Sequence, residues 1–522
     1  MAYLIDGTSL DLHTLVRLAN DTTTKVEISS GALNKMAHSR TVLDTLIEGG
    51  ATVYGVNTNM GGMVRWLIPP EKAADVQQNL INSVASNVGE YVQAKVVRAA
   101  ILSRINSLAK GHSAISMKVF NALVRLYNKN VVPCVPSLGS LGTSGDLGPL
   151  AAVALVLTGH GKAFVEGQKL PGLEALRKVG LEPVPLSYKD GLALINGTSF
   201  MVAMLAFALV DARNLLNNYL LVTTLSFGAL GAKNKPINPA VHALKDHTGQ
   251  QHIAEELYKL ITEMPGVQSE SELSERLAGE RLTKATEGTD AVEDCYSLRC
   301  TPQILGPVWE SINLAEAWIT RELNSASDNP LIDLEAGEIY HCGHFHGQYI
   351  AMASDHLKIS MATLANIADR RIDRLLDQKK NGQLAPFLAV KDAGNRLGLM
   401  GVQFLSSSLT SEIRANATPV SIQSLPSTGD FQDIVSLGFV AARQAYDVVQ
   451  KCGYVLGAEF FLGCHAVDQK HLNAMPNQVS ELYRLYRTRY PYLDADREST
   501  GELEYAKVVM LSQLPAETTE GA

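Results

Sequence analysis

The sequence predicts a mainly α-helical protein built on long helices, and three observations carry that expectation. Apolar residues recur at three- and four-residue steps over long stretches. Small residues are interleaved with them, which suits close packing in a helix bundle or an oligomer seam. Strand-like patterns are short and local.

In chain order, Lys25-Val26-Glu27-Ile28 reads as a short strand, and Val97, Ile101, Ile105 and Leu108 share one helical face. Lys162-Ala163-Phe164-Val165 reads as a second strand. The longest apolar run, Phe200 to Val210, falls short of the roughly 20 residues that span a bilayer, so it reads as a buried core helix. The polar stretch 269–290 reads as a mobile excursion. Leu357, Met361, Leu364, Ala368, Ile372 and Leu375 place one long helix over 349–378, and 433–467 reads as another. The tail after Leu514 reads as a frayed end. Residues 1–200 are expected to form an N-terminal domain, and 201–522 a long central helical bundle with C-terminal helices.

The chain has 522 residues and a formal net charge of -8, which gives no reason to expect nucleic acid or an anionic membrane as partner. Six cysteines (Cys134, Cys295, Cys300, Cys342, Cys452 and Cys464) contain no CxxC pair, so neither a disulfide framework nor a zinc ribbon is indicated. The first residues lack a basic segment followed by an apolar run, and a cytoplasmic setting is the expectation. Trp66 and Trp318 read as packing residues.

Residues 142–149, Gly-Thr-Ser-Gly-Asp-Leu-Gly-Pro, carry the most chemical information. Gly145 has no side chain, so its amide nitrogen can bend back onto the carbonyl carbon of Thr143 in a tight turn. Loss of water leaves a five-membered imidazolone, and loss of the Ser144 hydroxyl adds a conjugated methylene. Such a group accepts an amine, which no standard side chain does comparably. The plain alternative is a Gly-rich turn capped by Asp146 before a helix. Polar clusters at 54–62, 195–198, 296–300, 324–329 and 423–433 supply the amides, phenols and guanidinium suited to binding an amino acid.

With those residues in view, the chain resembles the aromatic amino acid ammonia-lyases and 2,3-aminomutases that use a 4-methylidene-imidazol-5-one (MIO) group, relatives of histidine ammonia-lyase. The motifs are YGVNT at 54–58, GTSGDLGPLA at 142–151, GLALINGT at 191–198, YSLRCTPQ at 296–303, NSASDNPL at 324–331, FHGQ at 345–348 and QDIVS at 432–436. Within the family it is similar to the bacterial phenylalanine aminomutase and ammonia-lyase branch. The resemblance implies a homotetramer of long helices in which each active site draws on three chains. It implies that Thr143, Ser144 and Gly145 cyclise into MIO and that Tyr54, on a mobile loop, takes the β-proton. Arg299 would hold the substrate carboxylate with Asn329 beside it. Asn196 and Tyr296 would hold or polarise the prosthetic group and amine, while Phe345, Gln348, Gln432 and Glu459 would line the site. No metal is implied.

Ser83 and Val84 occupy the positions that read the substrate ring in that family. Val84 offers imidazole no donor or acceptor, which counts against histidine, whereas Ser83 has room for a phenol. His465 stands where relatives carry Gln, which points to a different ring substituent. His341, His344 and His346 invite a metal reading, but no carboxylate lies within their cluster. The expected activity is on L-phenylalanine through bound trans-cinnamate, giving β-phenylalanine with accompanying ammonia release. Tyrosine 2,3-aminomutase or a tyrosine or phenylalanine ammonia-lyase is the alternative. Histidine ammonia-lyase comes behind them, and a non-catalytic helical assembly protein comes last.

Overall fold

The computed structural model describes residues 2–278 and 291–513. The chain opens with β1 (Ala2–Ile5), α1 (Leu12–Asn20) and β2 (Lys25–Ile28), the two strands pairing in parallel. Asp11 sets the start of α1 by accepting the Thr14 N–H at 2.8 Å. α2 (Ser30–Glu48), α3 (Ala73–Val84), β3 (Val88–Tyr91), α4 (Ala94–Ala109) and α5 (Met117–Asn128) follow. β4 (Val132–Pro133), β5 (Pro136–Leu138), α6 (Leu147–Leu157), β6 (Lys162–Val165), β7 (Gln168–Pro171), α7 (Gly172–Lys178) and α8 (Asp190–Ile195) come next. β3 pairs with β5, and β4, β6 and β7 form a small antiparallel sheet. The regular structure that follows among the described residues is mostly helical: α9 (Ser199–Leu230), α10 (Pro239–His242), α11 (Thr248–Thr262), α12 (Glu270–Ala278), α13 (Tyr296–Arg299) and α14 (Thr301–Leu323). A hairpin of β8 (Leu331–Asp333) and β9 (Glu338–Tyr340) precedes α15 (Gln348–Leu376), α16 (Met400–Asn416), α17 (Gly438–Gln469), α18 (Asn477–Arg489) and α19 (Thr500–Leu511).

Both expected strands form at the residues the alternation marked. The long helix expected over 349–378 is α15. The helix expected from 433 begins instead at 438. Ser424 Oγ takes the Val435 N–H at 2.7 Å, and Leu437 lies at φ +53, a left-handed conformation that cannot continue a helix. The apolar run from Phe200 belongs to the 32-residue α9. By length and composition α9 is long and apolar enough to cross a membrane, but 78% of its apolar window is buried in the fold, so packing accounts for its composition. α4 departs from the one-faced pattern, because every residue from Val96 to Ala109 is buried. Its two arginines stay soluble in that core by donating to carbonyls, Arg98 Nε to Ala19 O at 3.0 Å and Arg104 Nε to Ala193 O at 2.9 Å. Trp66 corrects another expectation: it is exposed on a loop rather than packed. Trp318 does pack, edge-on to Tyr349.

The chain divides into two compact units, each discontinuous in sequence. One comprises Met1–Ala208, Ala315–Asp355 and Pro419–Tyr446, and the other Leu209–Leu314, His356–Thr418 and Asp447–Ala522. Residues 201–208, 315–355 and 419–446 thus share a unit with the N-terminal 200 residues. Of the expected excursion at 269–290, the part to Ala278 is helical, and residues 279–290 lie outside the described residues, as does the tail from 514.

Candidate active site

The Thr143-Ser144-Gly145 triplet sits in the first unit immediately before α6. Gly145 has φ +72, and a Cβ there would lie 2.1 Å from Gly197 O, so only glycine fits. That contact comes from a short ladder in which Asp146 N–H donates to Gly197 O at 2.8 Å and Gly197 N–H to Ser144 O at 3.3 Å. The ladder ties the triplet to the segment between α8 and α9. Asp146 was read as a possible cap for α6. Its carboxylate instead caps α9, with Oδ2 accepting from Phe200 N–H at 2.7 Å and Met201 N–H at 3.0 Å. Burial pushes the Asp146 carboxyl up to about 7. Helix N-termini from α6 and α9 therefore both begin beside the triplet, where their dipoles favour negative charge.

Asn196 is held from one side only. Its Nδ2 donates to Asp328 Oδ1 at 3.0 Å and Asn329 O at 3.1 Å, while its buried Oδ1 has no partner. Asp328 in turn pairs with Lys189 at 2.8 Å, both fully buried. A turn that only glycine can make, with an unsatisfied amide oxygen one residue from the Gly197 ladder, fits a cyclised triplet. Those residues suit the MIO group.

Tyr54 lies on the loop between α2 and α3. Val53 and Val56, on either side, sink into an apolar cluster with Leu43, Ala114 and Ile332. The Tyr54 hydroxyl accepts the Gly61 N–H at 3.0 Å. Burial raises the phenol pKa, and this amide works against the rise. Tyr54, Thr143, Ser144, Asn329, Phe345 and Gln432 line one cleft of about 590 Å³. Its wall is completed by apolar Val64, Phe431 and Ile434 and by polar groups including Thr52, His341 and His346. Gln432 is fixed by Ser427, whose hydroxyl donates to Oε1 at 3.0 Å. Asn329 Oδ1 accepts the Cys342 N–H at 2.7 Å. No lysine or arginine is among the residues lining this cleft.

Gln348, Ser83 and Val84 are not among the residues lining this cleft within one chain. Gln348 opens α15 and donates to Ser421 O at 3.4 Å. Ser83 and Val84 end α3, which packs against the start of α6: a Cβ at Gly148 would lie 3.2 Å from Val84 O. The Ser83 hydroxyl donates to Leu80 O at 2.9 Å.

Tyr296, Arg299, Glu459 and His465 belong to the second unit and are not among the cleft-lining residues. Tyr296 is 69% exposed. The Arg299 guanidinium stacks over its ring at 4.9 Å and pairs with exposed Glu293 at 2.7 Å, while its buried Nε has no partner. The turn carrying these residues is anchored by buried Leu298 and by Arg371, which donates to Ser297 O at 2.7 Å and Thr301 Oγ1 at 2.6 Å. Glu459 is fully buried. Its oxygens accept from Tyr219 and Ser226 at 2.7 Å each, and Arg371 lies 3.5 Å away. His465 is 1% exposed, edge-on to Phe461 at 4.9 Å, with neither ring nitrogen partnered.

Sequence reasoning missed Gln77, Lys189, Asp328 and Arg371. Each is a polar residue in an ordinary helical or loop context, and only burial marks it out. Asp328 stood inside a motif, which was the one available signal.

A cleft that sets a phenol beside a serine-bearing glycine turn suits an enzyme that works on its substrate with a backbone-derived electrophile. The comparisons agree: the family model for aromatic amino acid lyases matches residues 10–488, and the chain belongs to that family. It is similar to a phenylalanine aminomutase structure from Pantoea agglomerans, with 44% identity, a TM-score of 0.95, and coverage of 98% of this chain and 99% of that one. It is 37% identical to the histidine ammonia-lyase of Gloeobacter violaceus over 99% of this chain and 98% of the relative. It is 34% identical to the tyrosine ammonia-lyase of Cupriavidus metallidurans over 99% and 98%. The fold is the mostly helical one of the histidine and phenylalanine ammonia-lyases.

Proposed function

We propose that this enzyme acts on L-phenylalanine through bound trans-cinnamate, as a 2,3-aminomutase giving β-phenylalanine with ammonia-lyase activity. The observation that carries the reading is the single cleft lined by Tyr54, Thr143 and Ser144 together with apolar Val64, Phe345 and Phe431. When formed from Thr143-Ser144-Gly145, MIO supplies an electrophile that takes up the substrate amine and makes it a leaving group. Tyr54 takes the β-proton, with the Gly61 N–H holding the phenolate oxygen. Asn329 and Gln432 orient the polar end of the substrate, and Asn196, whose buried Oδ1 has no partner, would hold the prosthetic group.

A buried substrate carboxylate needs a cation. Arg299 supplies it, with Tyr296 beside it, from a neighbouring chain of the homotetramer. The Arg299–Glu293 pair is half solvent-exposed, worth about 0–1 kcal/mol, and is readily exchanged for substrate. Whether ammonia leaves or returns to the β-carbon depends on how long the arylacrylate is retained. Phenylalanine is favoured over histidine because Val84 has no polar atom for imidazole. A tyrosine substrate is the second reading, favoured by Ser83: its proton is committed to Leu80 O, which leaves the oxygen as an acceptor for a phenol. Six free thiols suit a reducing cytoplasm.

Incubation with L-Phe, L-Tyr and L-His, followed by chromatography for arylacrylates and β-amino acids, tests the proposal. Cinnamate and β-phenylalanine should appear from L-Phe. Urocanate from L-His as the main product overturns the substrate assignment. The tryptic peptide bearing 143–145 should be lighter by two waters, and Ser144→Ala should be inactive and lack the second loss. An unmodified peptide in active enzyme overturns the prosthetic-group assignment.

A further inference from the structure

We infer that Gln77 and His341 are positioning residues that clamp the backbone on both sides of Tyr54 and preset its phenol for proton abstraction. The inference rests on Tyr54 being the base. Val53 and Val56 hold the loop in the core, but apolar burial is non-directional and does not set how the intervening peptide groups point. Hydrogen bonds do, and two come from outside the loop. His341, one residue past β9, accepts the Tyr54 N–H on Nε2 at 3.1 Å. Gln77, in the middle of α3 and 1% exposed, donates from Nε2 to Gly55 O at 2.9 Å. Between them, the Gly55 N–H goes to Thr58 Oγ1 at 3.1 Å, a contact that moves with the loop. The peptide group before Tyr54 and the one after Gly55 are thus tied to two separate elements outside the loop.

Gln77 does more than hold the loop. Its Oε1 accepts the Leu192 N–H at 2.9 Å, in the helix that ends beside Asn196. One amide therefore joins the Tyr54 loop to the element that carries Asn196 and the Gly197 ladder. Its two ends match an amide donor and acceptor, so Leu at this position would strand both Gly55 O and Leu192 N–H in the core. His341 contributes only an acceptor, so a glutamine there can replace it.

The test is a double-mutant comparison in the wild-type and Tyr54→Phe backgrounds, with peptide mass used to show that the triplet is dehydrated in every variant. Gln77→Leu should lower kcat about 10- to 100-fold with little change in KM, the scale of loss expected when a reacting group is misplaced by about 1 Å. His341→Leu should lower kcat about tenfold, and His341→Gln should recover to within about threefold of wild type. In the Tyr54→Phe background the same substitutions should change the residual rate by less than about twofold, because residues acting through one group are not additive. Hydrogen exchange of the peptide spanning residues 53–59 should quicken in His341→Leu and Gln77→Leu and stay slow in His341→Gln. Equal losses in both backgrounds, or unchanged exchange, overturn the clamp. If Gln77→Leu does not fold, the His341 pair decides alone. Wild-type turnover by Tyr54→Phe overturns the assignment of the base, and the exchange result then judges the clamp separately.

Discussion

Asp146 should make the protein lose stability as pH rises from 5 to 7, and Asp146→Asn should remove that loss. The carboxyl is fully buried, Oδ1 has no partner, and its only hydrogen bonds are the two N–H groups that start α9. The nearby Arg104 spends its guanidinium on Ala193 O and Ser327 O, so it compensates only through space. Burial therefore raises the folded-state pKa from 3.8 to about 7. The folded chain holds this proton more tightly than the unfolded chain. The associated stability is complete below about pH 4 and is lost as pH climbs through 7. Between pH 5 and 7 the loss is about 2–3 kcal/mol, at about 1.4 kcal/mol per pH unit. An unfolding entropy of about 2.1 cal/mol/K per residue converts this to about 2–3 °C in Tm for a chain of this length. Asn keeps an acceptor for the same N–H groups and cannot ionise. Calorimetry of wild type and variant at pH 5, 6 and 7 measures the difference of slopes. Parallel Tm profiles would show that Asp146 is ionised in the folded protein and that the burial argument fails.

Three further outcomes are expected. Arg299→Ala should weaken carboxylate-bearing ligands such as cinnamate by about 2–5 kcal/mol while leaving phenethylamine binding nearly unchanged, as titration calorimetry would register. Ser83→Ala should leave the kcat/KM ratio of phenylalanine to tyrosine unchanged if phenylalanine leads in wild type, and should reverse it if tyrosine leads; Val84→His should shift preference toward histidine or tyrosine. Burial, with Arg487 and Arg497 nearby, lowers the His465 pKa from 6.5 to about 3. The unfolded chain therefore takes up that proton first as pH falls from 6.5, and stability is lost with it. His465→Gln should hold its Tm better than wild type at pH 4.5, by about 2 °C, relative to the gap at pH 7.

Local pattern foretold what is local. The strands at 25–28 and 162–165 and the long α15 follow from periodicity, because each is decided by its own side chains. The start of α17 was not legible, since Ser424, eleven residues before Val435, captures the amide that would have extended it. The triplet stood out by its own residues and Tyr54 only through the YGVNT motif of the family resemblance; both line one cleft. Gln77 was not legible, because a glutamine on a helix becomes informative only once both ends of its amide are buried and matched. Within one chain the Glu459 carboxylate meets Tyr219, Ser226 and Arg371, partners that a single glutamate in a helix cannot announce.

The Arg371–Glu459 pair also bears on how substrate range can evolve. The turn carrying Tyr296 and Arg299 is braced by Arg371, and Arg371 is opposed by Glu459 in an environment without solvent. Replacing Glu459 alone leaves a buried guanidinium uncompensated, a cost of about 3–5 kcal/mol that a marginally stable protein rarely survives. Any path that alters this pair must change both residues nearly together. Ser83, exposed at the end of α3, carries no such debt, and surface changes usually stay within about 0.5 kcal/mol. Divergence among descendants, and productive laboratory libraries, should therefore accumulate at the end of α3 and leave the Arg371 bracket untouched.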